Sequence, residues 1–140
     1  MQVTVKNVTI WRKEVDNQPG ELAAVLTPLA KAGASLKVLM GYRLPGQEGK
    51  AAIEVYPVAG AKASRAAAAA GLVKSSIPAL YVEGGDKPRL GSALAEAMAS
   101  AGININFLVM QAVGRKYSAV WGFASAEEAR RAAGLIRRIK

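Results

Sequence analysis

The chain repeats itself at a spacing of 69 residues. A repeat constrains a fold more tightly than composition does, because each copy must build the same supersecondary unit. Asn17-Gln18-Pro19 lines up with Asp86-Lys87-Pro88, and Ala32-Gly33 with Ala101-Gly102. Leu36, Val38 and Met40 line up with Ile105, Phe107 and Val109. Past the next turn the spacing falls to 66, so that Lys50 meets Lys116, Ile53 meets Ala119 and Val55 meets Trp121. The shortfall lies in 44–49 against 112–115, a turn, where a change of length is tolerated. The halves are 1–71 and 72–140.

Each half reads as strand, helix, strand, hairpin, strand, helix. Residues 3–15 are rich in Val, Thr, Ile and Trp, as a strand requires, and Asp16-Asn17-Gln18-Pro19-Gly20 breaks it. Leu22, Val25, Leu26 and Leu29 recur at helical spacing, Gly33 ends the helix, and Pro28 predicts a bend within it. Leu36, Val38, Met40 and Tyr42 then alternate as the core face of a half-buried strand, Pro45-Gly46 turns, and Ala51, Ile53 and Val55 return. An alanine-rich helix follows over 58–70. In the second half Leu94 and Met98 mark the helix. Ile105, Phe107 and Val109 share one strand face, with Tyr117, Ala119, Trp121 and Phe123 on the returning strand. Ser125 and Glu128 form a capping box for the last helix. That helix gathers Ala129, Ala132, Ala133, Ile136 and Ile139 on one face and its arginines opposite.

The long strand at 3–15 has its counterpart at 72–84, yet no strand follows the last helix. The first part of each long strand is therefore expected to finish the other half's sheet: 72–76 closes the first and 3–7 closes the second.

Composition narrows the function. There is no cysteine and no histidine among the 140 residues. That removes disulfides, thiolate metal sites, a cysteine nucleophile, the usual general base and any serine–histidine triad. No metal, no cofactor and no catalytic group is expected, and the chain reads as not an enzyme. No apolar run approaches the ~20 residues of a membrane helix, and the amino terminus lacks a signal-peptide pattern, so a cytoplasmic protein is expected. The net charge is +9, much of it carried by Arg130, Arg131, Arg137, Arg138 and Lys140. This stripe reads as a solvated face or a contact for an acidic protein partner.

The pattern of a strand, Asn/Asp-x-Pro-Gly, a Leu-x-x-Val-Leu-x-x-Leu-x-x-Ala-Gly helix and an apolar strand resembles the ACT-domain family. Asn17, Pro19, Gly20, Leu22, Val25, Leu26, Leu29, Ala32 and Gly33 carry it in the first copy. Asp86, Pro88, Leu94, Met98, Ala101, Gly102, Ile103, Asn104 and Ile105 carry it in the second. The resemblance implies an α+β fold of two ferredoxin-like βαββαβ repeats side by side, with antiparallel sheets and helices on one face. It also implies regulation by a small ligand, usually an amino acid, held where the strand-to-helix loop of one domain meets the second strand of another.

The loop at 16–22 suits such a ligand on physical grounds. The free amides and positive dipole end of a helix favour a carboxylate, and Gly20 lets a ligand approach the backbone. The alternative is that Asn17 merely caps the helix. The expected site comprises Asp16, Asn17, Gln18, Pro19, Gly20, Glu21 and Leu22, facing Ile103, Asn104, Ile105 and Asn106. Asp16 or Asn17, helped by Asn104, would hold an ammonium group. A weaker second site comprises Gly85, Asp86, Lys87, Arg89 and Ser35; there Arg89 replaces the glycine and Gly91 replaces the leucine of the first copy.

Two rival readings stand beside this one. The strand 114–123 faintly resembles the aromatic strand of RNA-binding modules, so a nucleic-acid partner is a less favoured alternative. Oligomerisation without a ligand is the other. Leu39, Leu108 and Met110 fall on the strand parity opposite the proposed core, which predicts a homodimer or larger assembly.

Overall fold

A computed structural model describes residues 2–139; Lys140, counted above with the arginine stripe, lies outside the described residues. Among the described residues twelve elements follow one another: β1 (Thr4–Val8), β2 (Trp11–Asp16), α1 (Glu21–Lys31), β3 (Val38–Arg43), β4 (Lys50–Tyr56), α2 (Gly60–Ala69), β5 (Val73–Lys74), β6 (Ala79–Gly85), α3 (Leu90–Ser100), β7 (Ile105–Val113), β8 (Lys116–Phe123) and α4 (Ala126–Arg138). They form two compact units, Thr9–Ser75 and Met1–Val8 with Ser76–Lys140.

Each unit holds one four-stranded antiparallel sheet, ordered β3-β4-β2-β5 and β1-β6-β8-β7. The expected exchange of edge strands is present. β1 pairs with β6 from Thr4 opposite Glu83 to Val8 opposite Ala79. The short β5 pairs with β2, placing Lys74 opposite Trp11 and Val73 opposite Arg12. The α+β, ferredoxin-like class of both repeats follows from this topology.

In the Thr9–Ser75 unit Val25 and Leu29 of α1, Ala67 of α2 and Leu72 just beyond α2 cover Val15, Ile53 and Val55. In the other unit Leu80, Val82, Ala119, Trp121 and Phe123 meet Leu90, Leu94 and Met98 of α3 and Ala129, Ala132, Ala133 and Ile136 of α4. Fully burying one such large side chain contributes about 1.5–3 kcal/mol. The buried faces of α2 and α4 are rich in alanine: Ala63 and Ala67, and Ala129, Ala132 and Ala133.

The strand parities differ from expectation. Leu39 lies opposite the core residue Val55 and Met40 opposite Glu54, so Val38, Met40 and Tyr42 point away from the helices. In β7 an irregularity between Ile105 and Phe107 reverses the alternation. Ile105, Leu108 and Met110 therefore share a face with Phe123, Trp121 and Ala119, while Phe107 and Val109 turn to the other. Leu39, Leu108 and Met110 are thus on the helix side, not opposite it. Leu39 and Leu108 stay exposed because β3 and β7 are edge strands.

Local bonding corrects two further expectations. Ser125 caps α4 by accepting the Glu128 N–H at 3.1 Å, but the Glu128 carboxylate accepts from the Asn104 N–H at 3.4 Å rather than closing a capping box. The arginine stripe is not uniformly solvated. Arg131 donates to the Ala101 carbonyl at 2.6 Å, and Arg137 to the Val5 carbonyl at 3.3 Å.

Candidate functional site

The loop that opens α1 is shaped by its backbone. Gln18 N–H donates to the Asp16 carbonyl at 2.9 Å, and Asn17 N–H donates to the Gly49 carbonyl at 2.9 Å, tying the loop to the β3–β4 turn. Asn17 Nδ2 reaches the Glu48 carbonyl at 3.5 Å. Asn17 is therefore not the helix cap. That position belongs to Gly20, at φ +91°, with no side-chain cap bond. Its φ lies in the left-handed region that glycine enters freely.

An uncapped helix start leaves donors available. Ala24 N–H takes the Gly20 carbonyl at 3.0 Å, and Glu21 N–H reaches Gln18 at 3.4 Å. Among the described residues the amides of Leu22 and Ala23 have no partner. Glu21 supplies an acid in the first turn, and Leu22 is 43% exposed.

A groove of about 280 Å³ runs beside this loop. One wall is Val15, Asp16, Asn17, Gln18, Glu21 and Leu22; the other is Gly41, Tyr42 and Arg43 of β3 with Ala51, Ala52 and Ile53 of β4. The β3 and β4 residues were missed by sequence reasoning, although they sit in the same repeat and the turn bond from Asn17 to Gly49 brings them close. Asp16 is ion-paired with Lys50 at 2.6 Å, both well exposed. That hydrogen bond holds the Asp16 carboxyl below the usual carboxylate range and the Lys50 ammonium above its ordinary value.

The remaining expected residues are distributed as follows. Ile103 is buried in the core of the Met1–Val8/Ser76–Lys140 unit, and Ile105 packs half-buried against it. Asn104 and Asn106 are exposed. These four belong to a different unit from 16–22. Ser35 is exposed in the loop between α1 and β3. In the second copy the Asp86 N–H donates to the Arg115 carbonyl at 2.8 Å, and Arg89 caps α3 at φ +68°. Arg89 thus repeats with a side chain the left-handed backbone that Gly20 adopts without one. Gly85, Asp86 and Lys87 line a separate cavity, which Arg89 does not.

Tyr117, Trp121 and Phe123 are all buried in the core formed with α3 and α4. Their rings are occupied in packing, which removes the basis for base stacking on β8. Among the described residues no group of three or more carboxylates, histidines or cysteines is placed to hold a metal ion. Among the described residues no helix is long and apolar enough to cross a membrane.

No family model and no curated protein sequence matches this chain. Solved structures do. Protein BT0572 from Bacteroides thetaiotaomicron superposes with a TM-score of 0.76 at 12% identity, covering 96% of this chain and 99% of that one. The regulatory subunit of aspartate kinase from Thermus thermophilus, in a ligand-free form, gives 0.63 at 19% identity over 99% and 96% of the two chains. The corresponding subunit from Thermus flavus gives 0.60 at 20% identity over 97% of each. The fold is ACT-like. At these identities the likeness is one of architecture, and function has to be argued from the site.

Proposed function

We propose that this chain is a non-catalytic regulatory protein that binds a free amino acid in the groove between the 16–22 loop and β3. The observation that carries the reading is the uncapped start of α1, with the Leu22 and Ala23 amides unpartnered and the Glu21 carboxylate beside them on the groove wall. A ligand carboxylate gains two hydrogen bonds and the favourable end of the helix dipole there. Glu21, Asp16 or Asn17 then holds the ammonium group. The Asp16–Lys50 pair is solvent-exposed and screened, so exchanging Lys50 for a ligand ammonium is cheap. Exposed Leu22 offers apolar surface to a ligand side chain.

The ACT-like architecture supports the regulatory class. Binding acts by favouring one arrangement of the protein, which a protein partner reads. Assembly of like chains is part of the proposal. Each unit leaves an edge strand with exposed apolar side chains, Leu39 on β3 in one and Leu108, Val109 and Val113 on β7 in the other, the last at 75%, and such an edge is suited to a partner strand. Light scattering over a concentration series checks it: a dimer or larger species is expected, and a monomer throughout removes it.

The deciding experiment is a thermal-shift screen of the twenty amino acids, followed by calorimetry on any that respond. A ligand at a hundred times its Kd is expected to stabilise the native state by about 2.7 kcal/mol. Substitution of Glu21 by Gln and of Asn104 by Ala then tests the two halves of the expected residue set. If no amino acid binds at millimolar concentration, a structural or partner-binding role is the better reading.

A further inference from the structure

The Met1–Val8/Ser76–Lys140 unit holds a second cavity, of about 480 Å³. That volume falls within the roughly 300–1,000 Å³ usual for small-molecule sites. Its inner wall is apolar: Leu90, Leu94, Tyr117 and Ile136 line it, and each is at most 6% exposed. Its mouth is charged. Lys87 and Asp86 come from the loop before α3, and Arg137 from the last turn of α4. Two cations face one acid, so the mouth favours a single negative charge. Arg137 makes only one bond among the described residues, a long one of 3.3 Å from Nη2 to the Val5 carbonyl. The rest of its donor fork is unengaged, and that fork matches a carboxylate in shape and charge.

The cavity is open to solvent on one side, and its accessible apolar edge is supplied by half-buried Val3 and Ile139 beside the charged rim. We propose that this cavity binds a monocarboxylate with an apolar tail. The tail lies against Val3, Tyr117 and Ile139, and the carboxylate is held at the mouth by Arg137 and Lys87. The site is separate from the groove at 16–22 and needs no ammonium group on its ligand, so it stands or falls independently of the amino-acid reading.

Octanoate, octanol and leucine are the probes, titrated into the full chain by calorimetry and followed by the Tyr117 ring resonances. Octanoate is expected to bind saturably, one per chain, and to shift those resonances. Octanol, which lacks the charge, is expected to bind about tenfold more weakly, and Arg137→Gln is expected to weaken octanoate by a similar factor. Ile139→Trp, which fills the cavity from its rim, is expected to abolish octanoate binding while leaving any amino-acid response of the groove unchanged. Circular dichroism confirms the fold of each variant; if Ile139→Trp is misfolded, Val3→Phe makes the same test. The proposal is overturned by absence of saturable octanoate binding at about 5 mM, by equal affinity for octanol, by binding that survives the filling variant, or by leucine occupying the cavity in preference to octanoate.

Discussion

The Tyr42 hydroxyl donates to Glu54 Oε2 at 2.6 Å, joining β3 to β4 on the sheet face turned away from α1 and α2. Glu54 is only 4% exposed. A buried carboxylate needs a partner, because losing one leaves its desolvation uncompensated. Tyr42→Phe is therefore expected to destabilise the protein by about 1–3 kcal/mol. Glu54→Gln, which keeps an acceptor for the hydroxyl, is expected to cost less. Urea unfolding of the two variants checks the order, and equal costs would mean that the hydroxyl is not what satisfies Glu54.

Two tyrosines give stability an alkaline dependence. Burial first, and then the bond to Glu54, raises the Tyr42 phenol above its ordinary value, and burial alone raises Tyr117. A raised folded-state value means that the unfolded chain loses its proton first. The stabilisation is complete below a pH of about 10 and is lost as pH rises through the folded-state values. Stability measured against pH is expected to fall above that point, and Tyr117→Phe is expected to flatten the fall. An unchanged profile in the variant would assign the loss to other groups.

Phe107 lies across Gly122. A β-carbon at Gly122 would stand 2.1 Å from Phe107 Cε2, a distance that packing does not permit. Gly122→Ala is expected to cost at least about 1–3 kcal/mol, as overpacking does. Pairing it with Phe107→Ala should recover most of that loss. A double-mutant cycle with a coupling near zero would show that the two positions do not compete for the same space.

Gly20 and Arg89 hold equivalent positions with the same left-handed backbone, at φ +91° and +68°. A β-carbon at Gly20 meets no atom within 4 Å, so the penalty for a side chain there is conformational and not steric crowding. Gly20→Ala is expected to cost about 1–2 kcal/mol. Arg89→Gly, which relieves the same strain, is expected to stabilise by somewhat less, because glycine adds entropy to the unfolded chain. Opposite signs in denaturant melts are the check.

The repeat made most of this fold legible. The 69-residue register placed the helices and the hairpins, and the long strand stretches at 3–15 and 72–84 matched the exchange seen in β1 and β5. Face assignment failed where the sequence is apolar on both parities. Val38-Leu39-Met40 offers no alternation to read, and the irregularity after Ile105 hid a parity reversal. The loop at 16–22 was legible from Pro19-Gly20, but its wall of Gly41, Tyr42 and Arg43 was not, because a backbone bond from Asn17 to Gly49 carries no sequence signal. Likewise, Arg131 and Arg137 looked like solvated charge; only the fold brings the carbonyls of Ala101 and Val5 within their reach.

Strand exchange makes the choice of fragment decisive. A fragment of 1–71 carries β1 without its partner β6, and it lacks both β5 and Leu72. Leu72 is 2% exposed and belongs to the core with Val25, Leu29 and Val55. Truncating a buried leucine to alanine costs about 2–5 kcal/mol, a large share of the roughly 5–15 kcal/mol that holds a domain together. A fragment of 9–75 keeps all four strands of its sheet, both helices and every member of that core. It also keeps the Ser75 N–H bond to the Ile10 carbonyl at 2.7 Å, which pins its two ends together. The 9–75 fragment is therefore expected to unfold cooperatively on heating with dispersed amide resonances, and the 1–71 fragment to show neither. Cooperative unfolding of 1–71 at the temperature of 9–75 would mean that β5 and Leu72 contribute little to this unit.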